Sequence, residues 1–576
     1  MQRATVIGSA ADLRRDGRLV GKLGDVPVVV FWDDDHAWAV EDRCPHMGFP
    51  LHRGTVQDGL LTCHWHHARF DLASGCTFDL WADDAVAFDV EVDDRAGTVA
   101  VAARPRGDEV ARLERRLIEA LEESLTLVVA KSVHGLLAAG VPPAHVVEVA
   151  LRFAAVNRAD GWGPGMTVAQ AMLQLLPWLP PDEHDRALTH GLAFLARDVQ
   201  GRGPRFPLAP LAPPTDDMAR VGRWVRRFVE NRMVQAAERA TVSAALVDAA
   251  EAERMLLAAA TDHVWLDEGH VVDYLHKAGE ATAAVGGDAA AVFLPSVVPS
   301  LARATRHEEV SEWREPIDLV PLVAPTAAAI AASRASGIGD AATAALGWAL
   351  LDEDPAAVVG AQVDAAARGA TLEEQARAVA LAAALRLVRF HVQNDIGDWD
   401  TVHHTFTTAN AVHRAVRRTG TPELARGVVH GALRVWLDRF LNVPAARLPA
   451  TEPRRLDELG ACWDGRGGVD EAGGVVGGWL ASGGSADAVV TELCRALLRE
   501  DAGFHWYQSV EAAAQLQASW PEGSDAQRLV LVGAARWLAA HTPTMRATDQ
   551  TITIARRLLR GEALYEDDGE DAPAPV

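Results

Sequence analysis

The chain is short of lysine, tyrosine and cysteine. Lysine is confined to Lys22, Lys131 and Lys277, so its 55 basic residues are nearly all arginine. Against 79 Asp and Glu they leave a net charge of -24, which excludes a nucleic-acid surface because phosphates call for a basic patch. An acidic face suits a basic redox partner and suits solubility equally well. No apolar run reaches the ~20 residues that a spanning helix needs. Arg and Asp interrupt Met1 to Gly24, so no leader is expected there, and the expected location is cytoplasmic, without membrane contact. The five cysteines, Cys44, Cys63, Cys76, Cys462 and Cys494, are too scattered for a disulfide framework. No Gly-rich dinucleotide fingerprint follows a strand, and no Gly-x-Ser-x-Gly turn is present. A reductant must therefore come from another protein.

The cysteines that are present are informative. Cys44-Pro45-His46 is followed, after sixteen residues, by Cys63-His64-Trp65-His66. One Cys-x-His pair thus answers one Cys-x-x-His pair. Two thiolates and two imidazoles given as mixed pairs suit a [2Fe-2S] cluster with two cysteines on one iron and two histidines on the other. A structural zinc is the alternative, although zinc modules more often pair like ligands. Cys44-Pro45-His46-Met47-Gly48 and Cys63-His64-Trp65-His66-His67-Ala68-Arg69-Phe70-Asp71 resemble the two cluster loops of a Rieske ferredoxin domain. The resemblance implies Cys44, His46, Cys63 and His66 as ligands, and a ferredoxin or flavoprotein reductase as electron donor. It also implies that Phe49 and Trp65 stand where high-potential members carry a disulfide, and Ala68 and Phe70 where they carry hydroxyl donors. Fewer donors to the sulfurs imply a low potential.

Residues 1–105 read as a small all-β domain. Short Val-, Phe- and Trp-rich runs (Val26 to Trp32, His36 to Val40, Leu60 to Cys63, Ala85 to Val92, Thr98 to Val101) are separated by turn signals. Arg104-Pro105-Arg106-Gly107 is the expected exit linker. Residues 106–565 carry apolar residues at helical spacing and read as one large all-α domain. An acidic, disordered tail is expected over 566–576. The helical part suggests two copies, 110–335 and 340–562, forming a toroid or bundle. Asn157 to Asp160 aligns with His391 to Asn394, His190-Gly191 with His430-Gly431, and His307 with His505. A pocket on the pseudo-axis would follow.

A cluster supplies single electrons, so a second site is expected in the helical domain. Ring-hydroxylating oxygenases of the Rieske class use two His and a carboxylate on iron. The nearest approach here is Asp267-Glu268-Gly269-His270 followed by His276, one residue too long, so membership of that catalytic family is not expected. His391 to His413 is richer in polar groups. His391, Asp395, His403, His404, Asn410 and His413 are the candidate catalytic residues; His403, Phe406, Asn410 and His413 share one helix face. A second metal site, non-haem iron or haem, would draw on His190, His307, His391, His404, His430 and His505. Asp398-Trp399-x-x-Val402-His403 and the Thr-rich run after it resemble the helical questin-oxidase-like family, which implies oxygen-dependent oxidation of an aromatic small molecule. The chain thus reads as an oxidoreductase, with a redox-sensing scaffold as the alternative.

Overall fold

Alternating apolar residues put the start of the chain into antiparallel strands, because successive strand side chains point to opposite faces. A computed structural model describes residues 4–105, 107–213, 215–465, 467–562 and 564. Its strands are β1 (Ala4–Ser9), β2 (Arg18–Leu23), β3 (Val26–Asp33), β4 (His36–Glu41), β5 (Thr55–Gln57), β6 (Leu60–Thr62), β7 (Arg69–Asp71), β8 (Ala87–Asp93) and β9 (Thr98–Pro105). Six of them pair antiparallel in the order β1-β9-β8-β4-β3-β2. The sheet nearly closes on itself where β1 meets β2. There a Cβ on Gly21 would lie 2.9 Å from Ile7, so only glycine fits the seam.

The alternation sorts two cores. Val28, Val30 and Ala39 pack inside the sheet with Val99 and Val101. Val29, Phe31 and Val40 face the other way, onto Leu61, Phe70, Cys44 and Cys63. The second sheet, β5-β6-β7, is therefore held on the outer face of β3 and β4. One Cys/His loop follows β4, and the other is the turn between β6 and β7.

The chain divides into two compact units: Met1–Pro142 with Gln550–Val576, and Pro143–Asp549. The strands stop at Pro105, whereas the first unit continues through the helices Glu109–Glu122 and Thr126–Ala138. Ile552 and Ala555 from the C-terminal helix pack on Ala130. Arg106 of the expected linker and the expected tail at 566–576 lie outside the described residues.

The second unit is helical among its described residues, so the expected order, a β-rich domain and then a large all-α region, is the one observed. Its centre is Leu372–Val388, opened by a capping box between Thr371 and Glu374 and buried all round from Glu374 onward. Four helices, Pro164–Leu175, His270–Val285, Asp398–Thr419 and Phe504–Gln517, pack in a closed ring, each on two of the others. One neighbour pattern occurs twice. Ala289–Arg303 packs on His270–Val285 and Val234–Val247, as Asp525–His541 packs on Phe504–Gln517 and Val469–Ala481. Among the described residues no helix is long and apolar enough to cross a membrane.

Candidate functional site

In the first unit the two Cys/His loops converge. Short backbone bonds close them: Cys44 N donates to Phe49 O (2.7 Å), Gly48 N to Cys44 O (2.8 Å) and Cys63 N to Ala68 O (2.8 Å). Gly48 and His67 adopt positive φ to make these turns. Cys44 and Cys63 are buried and their sulfurs share a hydrogen bond. Backbone N–H groups of His46 and Met47 point to one sulfur, and those of Trp65 and His66 to the other. The bond from Cys44 and these N–H groups hold the Cys63 thiol down at about 6, so a thiolate is favoured there. The His46 and His66 rings meet edge to face at 4.8 Å. Burial, then His66, hold His46 down at about 4, and its buried Nδ1 has no hydrogen-bond partner. Two buried sulfurs and two imidazoles around one point, with an orphaned ring nitrogen, fit a [2Fe-2S] cluster.

The surroundings are apolar. Ala68 and Phe70 are buried in the core and present no hydroxyl, Trp65 lies on His66 (4.4 Å), and Trp81 is edge-on to His46 (4.8 Å). The following helices brace the site. Arg116 bonds Asp83 (3.1 Å) and Leu80 O (2.7 Å), Arg115 bonds Asp84 (2.7 Å), and buried Lys131 donates to Pro45 O, between the two ligands of the first loop.

In the second unit three rings from three helices of the closed ring come together. His270 is the first residue of its helix, His505 the second of its own, and His404 lies in the second turn of Asp398–Thr419. One ring nitrogen of each lies within 4.8 Å of the others. His404 Nε2 and His505 Nε2 are 3.0 Å apart. Behind them, Glu268 is 3.0 Å from His404 Nδ1, and Asp400 is 3.3 Å from His505 Nδ1. The bond from His404 holds Glu268 down at about 2; burial pushes His404 down, and its neighbour His505 holds Asp400 down. His403 packs behind the group at 4.7 Å from His505, with Nδ1 bonded to Ser509 (2.9 Å). The three rings are part-exposed.

A Rieske [2Fe-2S] domain matches residues 3–87. Ferredoxin CarAc of Metapseudomonas resinovorans is 30% identical over 95 residues, 16% of this chain and 82% of that protein. The chain belongs to the Rieske [2Fe-2S] family. The 4beta-methylsterol monooxygenase of Methylococcus capsulatus is 44% identical over 71 residues, 11% of this chain, so the chain spans only 19% of that relative's length. A solved complex of reduced oxygenase and oxidized ferredoxin in carbazole 1,9a-dioxygenase contains a chain 24% identical, covering 19% of this chain and all of that one, with a TM-score of 0.17. The Rieske domain supports the [2Fe-2S] cofactor and an electron-transfer role.

Beyond the Rieske loops, the expected helical residues scatter. His404 and His505 meet, with His403 against them. His413, on the same helix as His404 but nine positions on, bonds Glu373 instead (2.8 Å). Asn410 lines a water-sized cavity with Asp273, Lys277, Gln508 and Glu511. His391 and Asp395 belong to the loop before that helix; His391 lines a separate groove and Asp395 is exposed. His190 bonds Tyr507 (3.0 Å), His430 is buried in its own helix, and buried His307 lies in a short turn near Glu268. His270 and Glu268 were not among the expected site residues. The signal was the Asp-Glu-Gly-His run, set aside because His276 came too late. His276 in fact pairs with Glu280 (3.2 Å), and the other two rings come from helices more than a hundred residues away.

Proposed function

We propose that the chain is an oxidoreductase in which a low-potential Rieske centre serves the oxygen-dependent oxidation of a small organic molecule in the helical unit. Cys44, Cys63, His46 and His66 would hold the [2Fe-2S] cluster, which supplies one electron at a time. Exposed His66, with Trp65 beside it, offers the surface for a ferredoxin or flavoprotein reductase. The helical unit offers a cleft of about 630 Å³, within the range of small-molecule sites. Trp399, Ile396, Val392 and His541 line it, and Asp400, next in sequence to Trp399, leads to His505. Such mixed walls suit a small organic substrate with apolar and polar parts, in line with the resemblance of Asp398 to His403 to questin-oxidase-like proteins.

One observation carries the reading: a single chain joins Rieske loops to a cluster of three histidines backed by carboxylates. A redox titration of the purified protein tests it. The expected potential is about -150 mV, the low end for Rieske centres, because Ala68 and Phe70 provide no hydroxyl. A clearly positive potential, or a colourless protein with zinc on Cys44 and Cys63, overturns it.

A further inference from the structure

We propose that His270, His404 and His505 form a mononuclear site for ferrous iron, oriented by Glu268 and Asp400. The existence of the site stands on the geometry below; the choice of iron rests on the function proposed above.

The tautomers carry the argument. A carboxylate beside a ring nitrogen can only accept, so Glu268 and Asp400 place the protons of His404 and His505 on Nδ1. Both Nε2 atoms are then lone-pair acceptors, yet they face each other at 3.0 Å. Two opposed lone pairs repel unless a cation lies between them. A spacing of about 3 Å is that of two nitrogen ligands at right angles on one ion with ~2.1 Å bonds. A shared proton would account for two rings and leave the third, His270, without a reason to be there.

The backbone leading to His270 is the second observation. Trp265, Asp267, Glu268 and Gly269 have φ of 47°, 44°, 57° and 96°. Non-glycine residues in this region are strained, and such strain collects at functional sites. Here it brings Glu268 to His404 and starts the helix at His270. Asp267 pins the turn through Thr305, whose N–H donates to its carboxylate (2.6 Å).

Charge favours a cation despite the helix ends. His270 and His505 open their helices, and each N-terminus contributes about half a positive charge. The Glu268 and Asp400 carboxylates lie 3.0 and 3.3 Å from ring nitrogens of the site and offset that positive end charge. Neutral imidazoles suit iron, zinc and copper alike, and a partner for a Rieske centre must change oxidation state, which favours iron. Three rings converging on one point suit a mononuclear ion rather than a haem, whose iron takes protein ligands along one axis.

The test is metal analysis of the full-length protein purified and reconstituted with ferrous iron under reducing conditions. About three irons per chain are expected, two of them in the cluster. His404→Ala and His505→Gln should lower this to about two and abolish the spectrum of a ferrous–nitrosyl adduct. Glu268→Gln alters an exposed side chain and leaves all three ligands; it should weaken ferrous iron binding about 10- to 100-fold. Circular dichroism and the reduced-cluster signal are read on the same samples. Two irons in the wild type with an intact cluster, or a third iron kept by the variants, overturns the site and leaves the Rieske reading standing. A zinc lost with the same substitutions overturns the assignment to iron. A missing cluster sinks the function proposed above while the third iron remains countable.

Discussion

Lys131 is buried among cluster-side groups, and burial pushes its pKa down against the pull of Asp83 and Cys44. It spends its hydrogen bond on Pro45 O, so its ammonium stands beside the first cluster loop. A reduced cluster carries one more negative charge than an oxidised one, and a nearby cation stabilises the reduced form. Lys131→Met should therefore lower the potential by about 40 mV, on the order of 1 kcal/mol for one electron. A redox titration on the folded variant checks this; an unchanged or raised potential excludes the charge as a determinant. The four cluster ligands were legible in the sequence because each pair is local and its spacing is set by a turn. Lys131 was not, since its partner lies 86 positions away. The three-histidine group was half legible for the same reason: His404 stood out in a polar helix, while His270 gains meaning only when three distant helices meet.

At the scale of elements, the decisive piece is the five-residue turn before the His270–Val285 helix. Gly269 has φ 96°, and a Cβ there would lie 2.0 Å from the Thr408 hydroxyl, on the helix that carries His404. Gly269→Ala adds backbone strain and this clash together, so it should cost about 1–3 kcal/mol or more in urea unfolding and should displace His270. An unaltered unfolding midpoint would mean that the turn relaxes freely and holds nothing in place. Helix periodicity gave the helices but not which faces meet, because Ala-rich surfaces pack in many registers. The twice-met neighbour pattern is what a duplicated helical unit would produce. In that pattern the His270 helix corresponds to the His505 helix, and the two rings lie nearly parallel at 5.7 Å.

Over the whole molecule, two electrostatic effects oppose each other in acid. With 79 acidic residues against 55 basic ones, lowering the pH toward 5.3 relieves self-repulsion and favours the folded chain. Buried histidines act the other way. Burial holds His190, His276 and His430 at about 3, against ~6.5 in an unfolded chain. Between those values the unfolded state binds protons that the folded state refuses. Their contribution to stability is thus complete above about pH 6.5 and is lost as the pH falls toward 3. Each such histidine contributes a slope of about 1.4 kcal/mol per pH unit, whereas exposed surface charges are screened within about 8 Å in physiological salt. The histidines should win. Urea midpoints at 0.15 M salt should fall steadily from pH 7 to pH 5, and His430→Leu, which removes one titrating group from the interior, should flatten that fall by about one proton's worth. Stability that rises toward pH 5.3, or a slope unchanged in the variant, would show that surface repulsion governs the response and that these rings take up protons without unfolding the helical unit.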